Sequence, residues 1–398
     1  MKLLSFLLYL PAFFVFTILY GETEILTRSL EHRIANLETK GVSTLDKPLN
    51  QITPCAGPRV TGGIDTTLYA DFIYWTARLD TLSYAEAGGT DLIKSLDGPL
   101  DDNLTAKKGN VKTLGWTWNP GFKAGLGWLY DHGCWDTTLQ YTWFYTHATS
   151  KTNANDLTSR IFLTLEPKKI VSKEVEGENK AHASFYLHYQ TGDLDLGRNY
   201  YLSRTLKMRP FIGLKGTWQK QNFTSFFNNL HNAEVTTPYQ NLILKQNQSI
   251  WGIGGRSGVN SSWQFSKHIS IYGNLALSAL WLKYDLERTD TLADVIYLDR
   301  TLPKSEMEKE KVLNKKTYLN MQSKLHLVKP VIEVAFGLRG ETYWGSDRYH
   351  VLVQAGWESQ IWINQALYIS NSLFLSSDTY NKHDLILHGL TGKIRFDF

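Results

Sequence analysis

The 398-residue sequence predicts an all-β fold, an antiparallel transmembrane β-barrel of about ten strands preceded by a short N-terminal helix. First, long stretches alternate between apolar and polar residues, which is the period of a strand whose two faces meet different surroundings. Second, these stretches reach the roughly nine to eleven residues that a tilted strand needs to cross a bilayer. Third, their apolar faces end in Trp or Tyr, as aromatic girdles at membrane interfaces do. Because strands in hydrocarbon must have every backbone group paired, the sheet is expected to close.

The first 21 residues predict a secretory signal peptide. Lys2 precedes an apolar run from Leu3 to Tyr20, and Gly21 stands before acidic residues. A retained single-span anchor is the alternative, because the run is long for a signal. No later stretch approaches about 18 continuous apolar residues, so no further helical span is expected.

Residues 22–41 predict one short amphipathic helix that resembles a coiled coil and ends at Gly41. Its apolar positions are Leu26, Leu30, Ile34 and Leu37. So short a helix is marginal alone, so we expect it to associate with copies of itself, giving a homo-oligomer, or to pack on another surface. A plain helical spacer is the alternative.

Residues 42–64 are rich in Pro, Gly and Thr and predict a linker, so that the barrel occupies residues 65–398. The alternation predicts ten strands: Leu68–Arg78, Leu114–Tyr130, Trp135–Thr146, Ala181–Arg198, Leu206–Trp218, Ile250–Gln264, His268–Tyr284, His326–Arg339, Tyr349–Asn364 and Asp384–Phe398. A hairpin within Asp80–Thr113 would raise the count to twelve. An even number returns the C-terminus to the side of the N-terminus.

The connections alternate in length. Short links occur at Asp131–Cys134, Ser203–Thr205, Ser266–Lys267 and Gly345–Arg348, whereas long polar loops follow the intervening strands. Outer-membrane barrels have short periplasmic turns and long outer loops. We therefore expect a protein of the bacterial outer membrane, surrounded by its lipid, with both termini in the periplasm.

The last ten residues, "GLTGKIRFDF", predict the closing strand. Ile394, Phe396 and Phe398 lie on one face of it, whereas Lys393 and Arg395 lie on the other. The terminal Phe with alternating apolar residues resembles the signal that the barrel-assembly machinery reads, so that machinery is an expected partner.

The polar faces of the strands predict the residues that line the lumen. The pore-lining candidates are Lys123, Arg209, Lys215, Arg256, Glu333, Arg339, Glu358, Lys393 and Arg395. Seven of these are basic, and they are opposed mainly by three acidic residues, Asp71, Glu333 and Glu358. The excess of basic residues predicts a wet lumen with a mild preference for anionic solutes. The alternative is that these residues pair and fill the interior, as side chains do in small barrels.

The two cysteines, Cys55 in the linker and Cys134 in a short turn, are predicted to lie on the same side of the membrane. A disulfide between them would tie the linker to the barrel. Free thiols and intermolecular pairing are the alternatives.

Other functional classes find little support. The formal net charge of +4 predicts no face for nucleic acid. Asp193 and Asp195 are not expected to bind a metal ion, and a bulge near Thr191–Gly192 is predicted to turn both inward beside Arg198. For catalysis, Ser257 lacks the nucleophile-elbow spacing and is predicted to face lipid, which leaves only His147 and Asp156 as loose candidates. We expect neither an enzyme nor a cofactor.

Five blocks of sequence resemble one family, the pore-forming outer-membrane proteins of the Legionella major outer-membrane-protein type, which also occur in chlamydia-related bacteria. The blocks are "LYADFIYWTARLDTLSYA", "NPGFKAGLGWLYDHGCWDTTLQYTWFYTHA", "DLDLGRNYYLSRTLKMRPFIGLKGTW", "WGIGGRSGVNSSW" and "GLTGKIRFDF". The resemblance implies a porin-like channel for passive diffusion of small hydrophilic solutes, without a catalytic site. The alternatives are a surface-exposed structural or adhesin barrel with a plugged lumen and, less favoured, a barrel enzyme.

Overall fold

The computed structural model describes residues 55–58, 60, 65–79, 82–87, 110–130, 134–154, 161–163, 179–230, 239–296, 311–369 and 380–398. The predicted signal peptide, the predicted N-terminal helix and most of the predicted linker lie outside these residues. Within them, no helix is long and apolar enough to cross a membrane.

Ten long antiparallel strands form a closed barrel, which confirms the predicted all-β antiparallel barrel of about ten strands. They are β1 (Thr66–Leu79), β2 (Trp118–Leu129), β3 (Trp135–Ala154), β4 (Asn179–Arg198), β5 (Leu206–Leu230), β6 (Tyr239–Gln264), β7 (Ile269–Ile296), β8 (Lys311–Trp344), β9 (Tyr349–Ile369) and β10 (Tyr380–Asp397). Each strand pairs with its neighbour in sequence, and β10 pairs with β1 to close the ring. Two strands five places apart in this order, such as β4 and β9, therefore face each other across the lumen.

The alternative count of twelve strands is wrong for the described residues. Ser83–Ala87 and Asn110–Thr113 do form strands, but they join Ile161–Leu163 in a separate three-stranded sheet. Two further short strands, Gly115–Trp116 and Tyr200–Tyr201, extend the edges of the barrel wall.

The outer face carries an apolar band between two rings of aromatic side chains. Exposed residues of the band include Phe72, Phe122, Ile212, Ile253, Phe336 and Ile394. One ring includes Tyr74, Trp118, Trp218, Trp251 and Trp281, and the other includes Trp128, Trp135, Trp263, Trp344 and Tyr349. This arrangement suits a bilayer core bounded by two interfaces.

The two ends of the barrel differ. At the short-turn end, neighbouring strands are joined by tight connections, as at Phe265, whose amide donates to the carbonyl of Ile269 over 3.1 Å. The turn at Gly345–Asp347 holds three consecutive residues at positive φ, between 59° and 65°. At the opposite, long-loop end the strands run well past the aromatic ring. Strand β7, for example, continues to Ile296, whereas the alternation predicted an end at Tyr284.

Strand β9 separates from β8 near the long-loop end but stays paired with β10 from Ala366 to Ile369. Its pairing with β8 stops at Trp362, and its register with β10 shifts between Trp362 and Ala366. The five residues Gln365–Ile369, here called the plug segment, are all almost completely buried. Side chains of successive residues in a wall strand alternate between lumen and exterior. In the plug segment, the residues that would point to the lumen and those that would point to the exterior are all buried. The plug segment therefore lies inside the barrel.

Candidate functional site in the barrel lumen

The lumen has a polar half at the short-turn end, which contains a cavity of about 200 Å³. Eight of the nine predicted pore-lining residues line this cavity: Lys123, Arg209, Arg256, Glu333, Arg339, Glu358, Lys393 and Arg395. They converge because alternate residues of β2, β5, β6, β8, β9 and β10 point inward. The ninth, Lys215, is fully buried beside them.

Lys215 and Arg256 share the carboxylate of Glu333. The Lys215 Nζ lies 2.7 Å from Glu333 and 2.9 Å from Asp193, and the Arg256 guanidinium lies 2.9 Å from Glu333 and also contacts Asp195. Strand β8, which carries Glu333, is three places from β5, which carries Lys215. The pair therefore spans part of the lumen and narrows it.

Lys123 and Glu358 form a second bridge across the lumen, between β2 and β9. The Lys123 Nζ lies 2.6 Å from both carboxylate oxygens of Glu358, and it also lies 4.9 Å from the centroid of the Trp75 ring. Gln360 donates to the same carboxylate over 3.0 Å. These contacts lie at the boundary between the polar half and the apolar half of the lumen.

The remaining basic residues lie nearer the short-turn mouth and are also engaged. Arg209 forms a two-nitrogen contact with Asp136, Arg395 pairs with Asp397 over 2.7 Å, and Lys393 lies 3.4 Å from Asp71. The Arg339 guanidinium lies 5.8 Å from the centroid of the Tyr272 ring.

The charge balance of the lumen differs from the sequence count. Asp136, Asp193, Asp195 and Asp397 also face inward and pair with basic residues, which raises the acidic partners from three to seven against the seven basic residues. The strand alternation itself could have found Asp136 and Asp397, since both share the inward parity of their strands. The mild anion preference stays a prediction. The charge argument for it is weaker, because the basic residues of this set are matched by an equal number of acidic ones.

The other half of the lumen, towards the long loops, is apolar. Its fully buried side chains include Ile73, Trp75, Phe144, Phe185, Leu187, Tyr189, Phe223, Leu280, Leu282, Trp362, Leu385 and Leu387. The Tyr189 hydroxyl donates to Gln360 over 2.6 Å, and its ring packs edge-on against Trp362 with centroids 5.7 Å apart. Because β4 and β9 are opposite strands, these contacts cross the full width of the barrel.

The plug segment closes the apolar half of the lumen at its long-loop end. Gln248 and Gln246 accept hydrogen bonds of 3.0 Å from the amides of Leu367 and Ile369. Gln365 donates to Gln219 over 2.9 Å and accepts from Tyr284 over 3.0 Å.

An ion pair anchors the end of the plug segment. Arg288 donates to the carbonyl of Ile369 over 2.7 Å and is itself held by Asp290 at 2.8 Å. The backbone groups that β9 no longer shares with β8 are thus satisfied by side chains of β6 and β7.

The linker covers part of the short-turn mouth. Cys55 and Cys134 form a disulfide with Cα atoms 5.6 Å apart. The Ala56 amide donates to the carbonyl of Asn199, and Pro58 and Val60 line the cavity. Both ends of the lumen are therefore partly closed by chain that is not part of the wall.

The predicted bulge at Thr191–Gly192 is wrong. The pairing of β4 with both neighbours is continuous there, so Phe185, Leu187 and Tyr189 share the inward face with Asp193 and Asp195. The prediction assumed that apolar residues face lipid, which fails where the lumen itself is apolar. Arg198 lies on the opposite face of β4, and the partners of the two acids are Lys215 and Arg256.

The loose catalytic and metal candidates do not come together. Ser257 is exposed on the outer face, His147 stacks on Tyr186 on the same face, and Asp156 lies outside the described residues. In the part of the chain that the structure describes, no group of three or more His, Cys, Asp or Glu side chains could hold a metal ion.

Among solved structures, the chain is similar to three proteins at very low identity. The outer membrane protease OmpT from Escherichia coli is 9% identical, with 84% of this chain and 96% of that chain covered and a TM-score of 0.34. A Pseudomonas aeruginosa FadL homologue is 6% identical (84% and 89% covered, TM-score 0.21), and the P. putida toluene transporter TodX is 8% identical (84% and 89% covered, TM-score 0.23).

No curated protein sequence matches the chain. The sequence profile of one family, described as the Legionella pneumophila major outer membrane protein precursor, matches residues 62–398. This match spans the whole barrel and agrees with the resemblance found in the sequence. The chain therefore belongs to the Legionella pneumophila major outer membrane protein family, whose members are proteins of the bacterial outer membrane.

Proposed function

We propose that this protein is a structural barrel of the outer membrane, which holds its long loops at the cell surface and keeps its lumen closed to solutes. The observation that carries the proposal is the contact of Tyr189 with Gln360 and Trp362 across the barrel. A solute would have to displace an apolar core whose side chains are fully buried. Cores of this kind are packed as tightly as organic crystals, so spontaneous opening is costly.

The orientation belongs to the same proposal. Short turns face the periplasm and long loops face outward in outer-membrane barrels, so we place the polar half of the lumen and both termini on the periplasmic side. The disulfide is compatible with this placement, because disulfides persist in the periplasm as they do at the cell surface.

Conductance in planar lipid bilayers tests the proposal. We expect the purified protein to give no stable current steps in concentrated potassium chloride. A variant in which Tyr189→Ala, Trp362→Ala and Tyr368→Ala empty the apolar half should conduct. The matched control, with Trp263→Ala and Tyr349→Ala on the outer face, should stay closed. Stable steps from the unmodified protein would overturn the proposal.

A second candidate function is a porin-like channel for small hydrophilic solutes. The observation that favours it is the charged cavity of about 200 Å³ in the polar half. Passage would then require the plug segment to leave its glutamine and arginine partners. If the unmodified protein conducts, the reversal potential in a salt gradient tests the mild anion preference, and Arg339→Gln with Lys393→Gln should reduce it.

A further inference from the structure

Three clusters of basic, histidine and aromatic side chains lie on the outer face of the barrel, at and just beyond the aromatic ring of the long-loop end. The first consists of Tyr145, His188 and Lys220 on β3, β4 and β5. These residues are direct cross-strand neighbours, since Tyr145 pairs with His188 and His188 pairs with Lys220. The Tyr145 and His188 rings pack with centroids 4.5 Å apart.

The second cluster consists of Trp281, Lys283 and His326 on β7 and β8. Lys283 is the cross-strand neighbour of His326, and the His326 ring stacks on Trp281 with centroids 5.2 Å apart. Trp281 also packs edge-on against Trp251, a member of the aromatic ring, at 5.9 Å. The cluster is thus fixed at the level of the interface.

The third cluster consists of Arg78, Trp118, Trp357 and His388. The His388 ring stacks on Trp357 at 5.8 Å and meets Trp118 edge-on at 6.1 Å. Thr76, the cross-strand neighbour of both Trp118 and His388, is buried beneath them. Arg78 follows two residues later on the same exposed face of β1.

Charge on this part of the outer face is mainly positive. Further exposed lysines on the same face are Lys151, Lys180, Lys245, Lys324 and Lys382. The acidic side chains in this zone include Asp285, Glu287 and Asp384; Glu287 accepts from Asn247, and Asp384 accepts from the amide of Asn364. Among the described residues, Arg78, Lys220 and Lys283 form no ion pair.

We propose that the three clusters bind the phosphate groups of phosphorylated glycolipids in the outer leaflet. Aromatic rings of a membrane protein sit at head-group level, so side chains just beyond them meet lipid phosphates. Lys, Arg and His each donate charge-assisted hydrogen bonds to phosphate oxygens, and basic side chains are attracted to an anionic surface. The flat faces of Trp118 and Trp357 add contact area for the sugar rings that carry these phosphates. The inference rests on the orientation proposed above, which places the clusters in the outer leaflet.

Binding of diphosphoryl lipid A to the purified full-length protein in neutral detergent micelles tests the inference, with native mass spectrometry as the readout. The test variant combines Arg78→Gln, Lys220→Gln and Lys283→Gln. The matched control combines Arg204→Gln, Lys267→Gln and Arg348→Gln, which remove three exposed basic residues at the short-turn end. The shift in electrophoretic mobility on heating checks that each variant folds.

We expect the unmodified protein and the control to bind alike, and the test variant to bind about fivefold more weakly at each of the three clusters, because each substitution removes one charge from a separate site. A dephosphorylated form of the glycolipid should bind the unmodified protein as weakly as lipid A binds the test variant. If the triple variant does not fold, each single variant should show the fivefold loss at its own cluster and leave the other two unchanged. Unchanged affinity in the folded variants, or equal binding of phosphatidylglycerol, would overturn the inference. The binding assay in micelles depends neither on the orientation of the barrel in a membrane nor on whether its lumen conducts. Its result can therefore be told apart from a failure of the proposed function.

Discussion

Tyr189 and Gln360 lie on opposite strands of the barrel and meet at its centre, where the tyrosine hydroxyl donates a hydrogen bond of 2.6 Å to the Gln360 side chain. Both residues are almost completely buried. Trp362, two residues further along β9, completes the contact through its ring. The wall of this barrel is thus braced from within, and its stability should depend on interior side chains as much as on strand pairing.

Trp362→Ala should lower the free energy of unfolding by about 3–5 kcal/mol, because it leaves a large cavity in a packed core. Urea unfolding in detergent, followed by tryptophan fluorescence, measures the change. Trp263→Ala is the matched control, since Trp263 is 55% exposed on the outer face and its removal leaves no interior cavity. An equal loss in both variants would contradict a packed lumen.

Glu333→Gln should lower the free energy of unfolding by about 1.5–3 kcal/mol, because Lys215 and Arg256 would each lose one carboxylate partner while keeping Asp193 and Asp195. The same unfolding assay measures the loss. Asp347→Asn, in an exposed turn at positive φ, should change it by no more than about 0.5 kcal/mol.

The double variant Glu333→Gln with Lys215→Met provides a second check on this network. It should be more stable than the sum of the two single losses predicts, because the contact between Lys215 and Glu333 is lost in both single variants but only once in the double variant. Strictly additive losses would show that the two residues are energetically independent.

Reduction of the Cys55–Cys134 disulfide should cost about 2–5 kcal/mol of stability and should slow migration in a non-reducing gel. Cys55→Ser and Cys134→Ser should each reproduce the mobility of the reduced protein, and the double variant should add nothing further. A mobility shift only in dimer-sized bands would indicate intermolecular pairing instead.

Phe398→Ala should reduce the amount of folded barrel in the membrane fraction while leaving the stability of the refolded protein nearly unchanged. The backbone of Phe398 exchanges two hydrogen bonds of 3.1 Å with Thr66, and the substitution preserves them. Quantitative immunoblotting of heated and unheated membranes measures assembly, and refolding from urea into micelles is the control. Equal losses in both assays would assign Phe398 to stability rather than to recognition.

The wall of the barrel was predictable because lipid imposes one chemistry on one face of each strand. Leu206–Trp218 shows a clean alternation, and its outward Ile212 and Leu214 are indeed exposed. The same reasoning identified the inward basic residues. The ends of the strands were less predictable, because beyond the aromatic ring there is no lipid to require an apolar residue at every second position.

The apolar half of the lumen was not predictable from alternation, because the apolar side chains of β4 face inward there while its outer face carries His182, Ser184 and His188, the reverse of the pattern expected for a lipid-facing strand. Phe185 and Leu187 resemble lipid-facing residues in every respect that the sequence records, and only the ring of facing strands makes them interior. The plug segment was missed for a related reason. The sequence "QALYI" carries no signature of a strand that leaves its neighbour, since the departure depends on Gln246, Gln248 and Arg288 from distant strands.

The seam between β1 and β10 joins residues more than 300 positions apart, such as Thr67 and Asp397, whose side chains lie within hydrogen-bonding distance. The ring therefore cannot shut until strand β10 is available. Until then, the aromatic residues that will face the lipid or the interior are exposed. The exported chain must therefore be kept unfolded and protected from aggregation until it reaches the membrane. Completion of this fold is thereby tied to the arrival of its last strand, β10.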